Sequence, residues 1–296
     1  MIFKPLPCKT RWEGLTLCFW IVLIDLLLLV WAINRSTDRI RFLLLLLIVS
    51  SIPLLIHLLY RTWCIYTLEY WVDRNAVTIV WGNVRQIIPL HTVKRIVQSD
   101  ALEVTRPSWW QWPGPYLRNV RTAQVQNLHL LATRPTAECL MLDTGAAVFA
   151  ISPENEAGFM AALQERFQMG AAVLLKPKRE HAAILPRLFG ENPVGLILIA
   201  VGLIGVLALF GLLMVRFPTL PAELPFRYTK AGAPESIHSK STLFVLPAIG
   251  MLAWLANGLW GMWMVYRKQV LGAYMLWGGA LIVQICSLLA LRSLLP

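Results

Sequence analysis

The chain has 296 residues, of which 57% are hydrophobic and only 15% are charged, and its mean hydropathy is +0.60. Soluble domains carry roughly 25% charged residues, so both a purely soluble protein and a disordered one are excluded. The 27 Lys and Arg outnumber the 16 Asp and Glu, yet residues 61–170 hold ten of the former and nine of the latter. The basic excess therefore flanks apolar runs, which is typical of membrane anchoring and not of nucleic-acid binding.

Five apolar runs approach or exceed the roughly 18–20 residues that cross a bilayer as a helix. They lie at 15–33, 42–60, 193–217, 243–266 and 270–291. The first has no small-residue cleavage site, so we interpret it as a retained anchor. Short connections predict a transmembrane hairpin within residues 1–61 and a three-helix membrane region at 193–296.

The distribution of basic residues near the five runs predicts the orientation of the chain in the membrane. With residues 61–190 in the cytoplasm, ten Lys or Arg that flank the runs lie on the inner side and eight on the outer side. The positive-inside rule then favours a cytoplasmic position for this segment.

The segment between the second and third runs has the pattern of a small β domain. Strands are predicted at 66–72, 76–81, 84–90, 101–105, 125–132, 139–142 and 147–151, with turn residues between them. Ser152-Pro153-Glu154 predicts a helix start with proline at the first helical position. Over 154–168, Phe159, Ala162, Leu163 and Phe167 recur at helical spacing. Seven strands and one closing helix are the order of a pleckstrin-homology (PH)-like barrel with the helix at one open end, although another small barrel fits equally well.

Several short motifs then occur in order. They are 112–116 (WPGPY), 132–135 (ATRP) and 150–154 (AISPE), followed by Phe159. This arrangement resembles a bacterial PH domain subfamily over residues 62–169. The resemblance implies a PH-like domain at 62–170 that binds a protein or lipid partner. The whole chain is then expected to be an α+β membrane protein of the bacterial cytoplasmic membrane, with five transmembrane helices and an inserted PH-like β-barrel capped by a C-terminal helix.

A second resemblance covers the loop 218–247. Its residues are Pro221, Pro225, Arg227, Gly232, Pro234, Glu235, Ser239 and Lys240. They are similar to the pattern of DUF1648, a domain of bacterial membrane proteins that include SdpI-type immunity proteins. The chain has Arg227-Tyr228-Thr229 where that family has His-Phe-Asn or His-Phe-Asp, and Glu235 where Asp is usual. The expected function is sensing, immunity or interaction without catalysis.

One motif indicates an enzyme instead. Asp143-Thr144-Gly145 within an apolar stretch fits the aspartic-protease signature, in which two carboxyl groups share a proton. A single copy requires a dimer and a supporting downstream strand, whereas this chain enters a predicted helix within about ten residues. The alternative interpretation is a hairpin turn, for which Asp and Gly are favoured, and we prefer it.

Polar residues inside the apolar runs are candidates for intramembrane contacts. Asp25 lies near the middle of the first run, where a carboxyl group is costly. It can serve a transporter or channel as an ion relay, or remain neutral and hydrogen-bonded to Ser50 or Ser51. Asn257 and Gln284 lie in the fourth and fifth runs, where small and amide residues favour close helix packing over a substrate pathway.

Trp109, Trp110 and Trp112 occur in a Pro- and Gly-rich stretch that predicts a loop. Such a loop can enter the head-group region, close over the domain core or dock on the protein's own helices, and the sequence does not separate these alternatives. Residues 171–192 form a basic linker that either lies on an anionic leaflet or merely precedes a span. Scattered cysteines and missing catalytic motifs predict no enzyme, no cofactor and no metal site.

Overall fold

A computed structural model describes residues 1–98, 107–121, 127–170, 173, 175–181, 193–228 and 234–295. It contains five helices that are long and apolar enough to cross a membrane. These are α1 (Thr10–Ile33), α2 (Arg39–Tyr66), α4 (Pro193–Arg216), α5 (Val245–Tyr266) and α6 (Val270–Leu294). All five predicted spans are thereby confirmed as helices. The strand predicted at 101–105 and most of the linker 171–192 lie outside the described residues.

The chain divides into two compact units. The first comprises Met1–Leu23 and Ser51–Ala182, and the second comprises Ile24–Ser50 and Ala183–Pro296. Both α1 and α2 therefore begin in one unit and end in the other.

The first unit contains an antiparallel five-stranded sheet in the order β1-β2-β3-β4-β10. Its strands are β1 (Ile2–Phe3), β2 (Glu69–Val72), β3 (Ala76–Trp81), β4 (Val84–Pro89) and β10 (Lys178–His181). Side chains of β3 alternate between the two faces of the sheet, so that Val77 and Ile79 are fully buried whereas Thr78 and Val80 are half-buried. The strands predicted at 66–72, 76–81 and 84–90 are confirmed here with small shifts in their ends.

The two edge strands of this sheet were not predicted. β1 is two residues long, and β10 lies inside the segment that its charge marks as a linker. β10 pairs with β4 along four residues, and the guanidinium of Arg179 lies 5.5 Å from the centre of the Trp81 ring. Exposed edge strands tolerate charged residues, which is why hydropathy does not reveal β10, whereas β1 is too short to show a strand pattern.

The second sheet of this unit has the order β5-β8-β9-β7-β6. Its strands are β5 (Arg95–Gln98), β6 (Leu117–Val120), β7 (Leu128–Leu131), β8 (Leu140–Asp143) and β9 (Val148–Ile151). β7 and β9 are parallel and the other pairs are antiparallel. Among the described strands no ladder joins the two sheets, so the predicted closed barrel is wrong. Closure requires a continuous ring of paired strands, whereas β5 and β6 both remain at sheet edges.

Side chains connect the two sheets instead. The Tyr70 hydroxyl of β2 donates to the carbonyl of Leu131 at 2.8 Å and accepts from the backbone N–H of Ser152 at 3.2 Å. Residues of both sheets share one hydrophobic cluster with helix α3 (Glu156–Met169). Burial raises the pKa of Tyr70, as expected for a phenol that must stay neutral to bridge two backbone groups.

Helix α3 begins later than the sequence predicts. Asn155 is its N-cap and its side-chain oxygen accepts from the N–H of Gly158 at 2.8 Å. Pro153 instead forms an isolated bridge with Pro5, so the Ser-Pro-Glu cap was predicted three residues too early. The helix buries Phe159, Ala162 and Leu163, whereas Phe167 is 41% exposed.

In the second unit, α4, α5 and α6 pack together. Trp254 donates its indole N–H to the carbonyl of Ile199, and the Gln284 amide donates to the carbonyl of Gly202 at 2.9 Å. Between α4 and α5 the chain forms a hairpin of β11 (Glu223–Tyr228) and β12 (Pro234–Ser239). Leu220, Leu224 and Leu243 around this hairpin are buried with leucines of α4 and α6.

Candidate interaction surface

The three tryptophans lie in residues 107–116, which we call the Trp loop. Trp109–Gln111 form a single 3-10 turn. The Gln111 side-chain oxygen accepts from the backbone N–H of Ser108 at 3.1 Å and from the Arg118 guanidinium at 2.8 Å. Burial lowers the pKa of Arg118. These bonds give the loop a defined conformation.

Arg61 of α2 fastens the Trp loop to that helix. Its guanidinium donates to the carbonyl oxygens of Gln111, Pro113, Gly114 and Leu117, at 2.6 Å for Gly114 and 3.2 Å for Pro113 and Leu117. A guanidinium has five N–H donors and no acceptor, so four carbonyls use most of its capacity. The loop backbone is therefore held by a positive charge on α2.

Glycine allows the loop to come this close. Gly114 has a φ of +86°, and a Cβ at this position would lie 2.9 Å from Cγ1 of Ile65 on α2. A side chain would be strained by the backbone conformation and would also clash with the helix. The backbone of the loop can therefore pack directly against α2.

Trp109 and Trp110 form an exposed aromatic pair in the Trp loop. Their rings stack with centroids 3.9 Å apart and an interplanar angle of 27°, and they are 69% and 53% exposed. The Trp110 carbonyl lies 2.9 Å from Nε2 of His57, whose ring contacts the Trp110 indole edge-on. The result is a flat, exposed aromatic surface beside α2.

The structure distinguishes among the three alternatives for this loop. Its backbone docks on a helix of the protein, and its two leading indoles do not cover the domain core because more than half of each is exposed. Trp112 is half-buried and follows the pair toward Pro113. Trp109 and Trp110 are thus the most exposed of the three tryptophans.

Asp143 lies in a tight turn between β8 and β9. Its carboxylate accepts from the N–H of Gly145 at 2.8 Å and from the Arg95 guanidinium at 2.7 Å. The N–H of Gly145 and the charge of Arg95 hold the pKa of Asp143 below its usual range. The hairpin interpretation of Asp-Thr-Gly is confirmed, and this carboxylate is engaged in holding the turn.

The three intramembrane candidates lie in different surroundings. Asp25 is half-buried on α1, and Asn257 is half-buried on α5. Gln284 is 4% exposed and binds α4 through its amide, while its side-chain oxygen has no partner among the described residues. Gln284 thus takes part in the packing of α6 against α4.

Residues of the DUF1648-like pattern lie around the β11–β12 hairpin. The Lys240 ammonium lies 3.4 Å from the Leu220 carbonyl and 4.8 Å from the centre of the Phe217 ring. The hydroxyls of Ser239 and Ser241 are 2.7 Å apart, and Pro221 is exposed. Pro225, Arg227, Pro234 and Glu235 belong to the two strands, and Gly232 lies outside the described residues. The hairpin is thus anchored at its base through Lys240.

The cysteine with the largest change in pKa is a structural residue. Burial raises the pKa of the Cys139 thiol to about 12. A thiol is reactive as its thiolate, so Cys139 is inert at neutral pH and packs with Leu128 and Leu130 in the second sheet.

Comparison with known proteins bears on the first unit. Residues 68–167 match the family profile described as bacterial PH domain. The matched region contains both sheets except β1 and β10, and nearly all of α3. No curated protein and no solved structure matches the chain. The match supports the PH resemblance, whereas the DUF1648 and SdpI-type resemblance has no such support and stays a prediction.

Sequence reasoning missed Arg61 and His57 as parts of this surface. Both lie near the C-terminal end of an apolar run, where a basic residue is ordinarily interpreted as an anchor at the membrane interface. The available signal was a second polar residue one helical turn earlier, His57, on the same face as Arg61. Two polar groups on one face of such a helix indicate a protein contact there.

Proposed function

We propose that this protein is a non-catalytic integral membrane protein whose bacterial PH domain acts as an interaction module at the cytoplasmic surface of a bacterial membrane. The exposed Trp109–Trp110 pair, fixed to α2 by Arg61, carries the proposal. PH-like domains are interaction modules, and the five apolar helices are compatible with a membrane protein. We further propose that the aromatic pair contacts the lipid head-group region.

The position of the pair along α2 supports a lipid contact. The apolar run of α2 ends near residue 60, and His57 and Arg61, which hold the loop, bracket that end. Tyr60 and Trp63 occupy the same stretch of helix. Tryptophan and tyrosine are enriched at this depth because the ring is apolar and its N–H or O–H is polar. Trp109 and Trp110 would extend this aromatic belt beyond the helix.

Charge argues against recognition of a highly phosphorylated lipid by the β2–β4 hairpins. Residues 66–90 contain only two basic side chains, Arg74 and Arg85. Arg85 lies over the Trp71 ring at 5.5 Å. Phosphate recognition generally uses a convergent set of Arg or Lys donors, so an aromatic contact with the interface fits this domain better.

Site-specific photo-crosslinking of the full-length protein in native membranes tests this proposal. We expect a benzophenone amino acid at Trp110 to give lipid adducts that mass spectrometry detects. The matched control is the same amino acid at Phe167, which is also partly exposed on the domain but lies on α3, where we expect few lipid adducts.

Two outcomes would contradict the proposal. Protein adducts without lipid adducts at Trp110 would show that the aromatic pair serves a protein partner. Equal lipid labelling at Trp110 and Phe167 would show that the pair has no special access to the bilayer.

A further inference from the structure

A cavity of about 310 Å³ lies in the first unit, where the N-terminal segment meets the ends of α1 and α2. Residues from four parts of the chain line it. They include Lys4, Arg11, Tyr66, Glu69, Thr133 and Glu154. The cavity therefore lies at the end of the helical hairpin that joins the PH-like domain.

Its charged lining is balanced. Lys4 and Arg11 supply two cations, and Glu69 and Glu154 supply two carboxylates. Among the described residues, none of these four forms a salt bridge with another. Opposite charges that share a cavity without pairing suit a ligand that carries both charges itself.

Two of these groups are held in place. The Arg11 guanidinium lies 3.7 Å from the centre of the Tyr66 ring, a cation–π contact that positions it beside the cavity. One Glu69 oxygen accepts from the Trp71 indole at 2.8 Å. A cation and a carboxylate of the cavity thus have fixed positions.

An apolar groove lies farther along the same helices. It has a volume of about 620 Å³ and is lined mainly by Trp12, Leu15, Phe19 and Val22 of α1 and by Leu59 of α2.

Helical spacing relates the groove to the cavity. Arg11, Leu15 and Val22 are separated by four and seven residues, which places them on one face of α1. On α2, Leu59 of the groove and Tyr66 of the cavity are seven residues apart. The groove thus continues the polar cavity along the two helices. The rise along α1 from Arg11 to Val22 is roughly 16 Å, at 1.5 Å per helical residue.

From this arrangement we infer a site for one phospholipid whose head group carries a phosphate and a primary ammonium. Lys4 and Arg11 bind the phosphate, Glu69 and Glu154 accept from the ammonium, and one acyl chain lies in the Trp12–Val22 groove. An anionic head group without an amine leaves the two carboxylates unmatched. A quaternary ammonium has no N–H to donate to them.

The inference rests on the proposed function, since it places the ends of α1 and α2 at the membrane surface. Native mass spectrometry of the full-length protein tests it, with phosphatidylethanolamine, phosphatidylcholine and phosphatidylglycerol of identical acyl chains. We expect phosphatidylethanolamine to be retained about threefold over phosphatidylcholine, the effect of one exposed charge pair. Glu154→Gln is expected to remove most of this preference, and Glu138→Gln, an exposed carboxylate outside the cavity, to leave it unchanged.

A second pair of variants tests the groove. Val22→Trp fills it and is expected to reduce lipid retention at least threefold, whereas Val30→Trp, at an exposed position farther along α1, retains wild-type binding. Equal retention of phosphatidylethanolamine and phosphatidylcholine by the wild type would overturn the head-group assignment, and unchanged retention by Val22→Trp would overturn the groove. The photo-crosslinking at Trp110 is a separate readout. Lipid adducts at Trp110, combined with equal retention of phosphatidylethanolamine and phosphatidylcholine in native mass spectrometry, would refute this site and leave the proposed function standing.

Discussion

The PH-like domain and the α4–α6 bundle achieve close packing by different means. In the domain the largest fully buried side chains include Tyr70, Phe159 and Leu142, drawn from both sheets and α3. In the bundle the close contacts join large side chains to glycines, where Trp254 lies over Gly202 and Trp277 over Gly195 and Gly261. Polar side chains of the bundle donate to backbone carbonyls of neighbouring helices.

The difference agrees with a bundle whose helices are long and apolar enough to cross a membrane. Burial from water rewards apolar area wherever it is removed, so the domain can use bulky residues throughout its core. Lipid is as apolar as leucine, and helices in it associate through close contact and interhelical hydrogen bonds. Glycine therefore lets tryptophans of neighbouring helices approach closely in the bundle, whereas phenylalanine and tyrosine fill the core of the domain.

Phe159→Ala should produce the largest loss and tests the domain side of this comparison. Truncating a fully buried phenylalanine costs about 3–5 kcal/mol of unfolding free energy through lost burial and the cavity left behind. Hydrogen exchange of residues 140–151 in the full-length protein under increasing urea would measure it. Phe167→Ala, at a position 41% exposed, is the control and should cost less than about 1 kcal/mol. Equal losses would show that α3 does not seal the core.

Gly261→Ala tests the bundle side. The new methyl group would meet the Trp277 indole nitrogen, and such overpacking costs about 1–3 kcal/mol. Steric trapping of the full chain in bicelles would measure the loss. At Gly279 of α6 an added Cβ meets nothing within 4 Å, so Gly279→Ala should be neutral or slightly stabilising. A neutral result at both positions would remove glycine contacts as the basis of the comparison.

Asp143→Asn should have the smallest effect, and its effect on the unfolding free energy of the domain should depend on pH. Because the N–H of Gly145 and the charge of Arg95 lower the folded-state pKa of Asp143 below its ordinary value of 3.8, the unfolded chain binds more protons in acid. The stabilisation is therefore present above about pH 4 and disappears as the pH falls through the folded-state pKa. Near pH 7 the substitution should cost less than about 1 kcal/mol because Arg95 is mostly exposed. Unfolding free energies between about pH 3 and 7 test this, and a wild-type-minus-variant difference that does not vary with pH would contradict it.

The bundle was more predictable from sequence than the domain. Length and apolarity give each span directly, and the predicted 193–217 and 270–291 correspond to the helices Pro193–Arg216 and Val270–Leu294. Turn residues likewise locate the hairpin at Asp143–Gly145. Both signals are local, and each depends on a few neighbouring residues.

What the sequence did not reveal depends on distant pairings. β1 forms a strand only because it pairs with β2. Arg61 holds the Trp loop only because four carbonyls of residues 111–117 converge on its guanidinium. Whether two sheets close into a barrel depends on edges far apart in the chain. No pattern of period 2 or 3.6 carries such information.

The attachment of the helical hairpin to the first sheet has a mechanical consequence. β1 leads into α1 after six residues, α2 leads into β2 after two, and β1 and β2 are neighbours through Ile2–Trp71 and Phe3–Tyr70. The first sheet is therefore connected to both helices of the hairpin, through residues 4–9 to α1 and through residues 67–68 to α2. If the two helices separate at that end, β1 must slide along β2 or residues 4–9 must straighten.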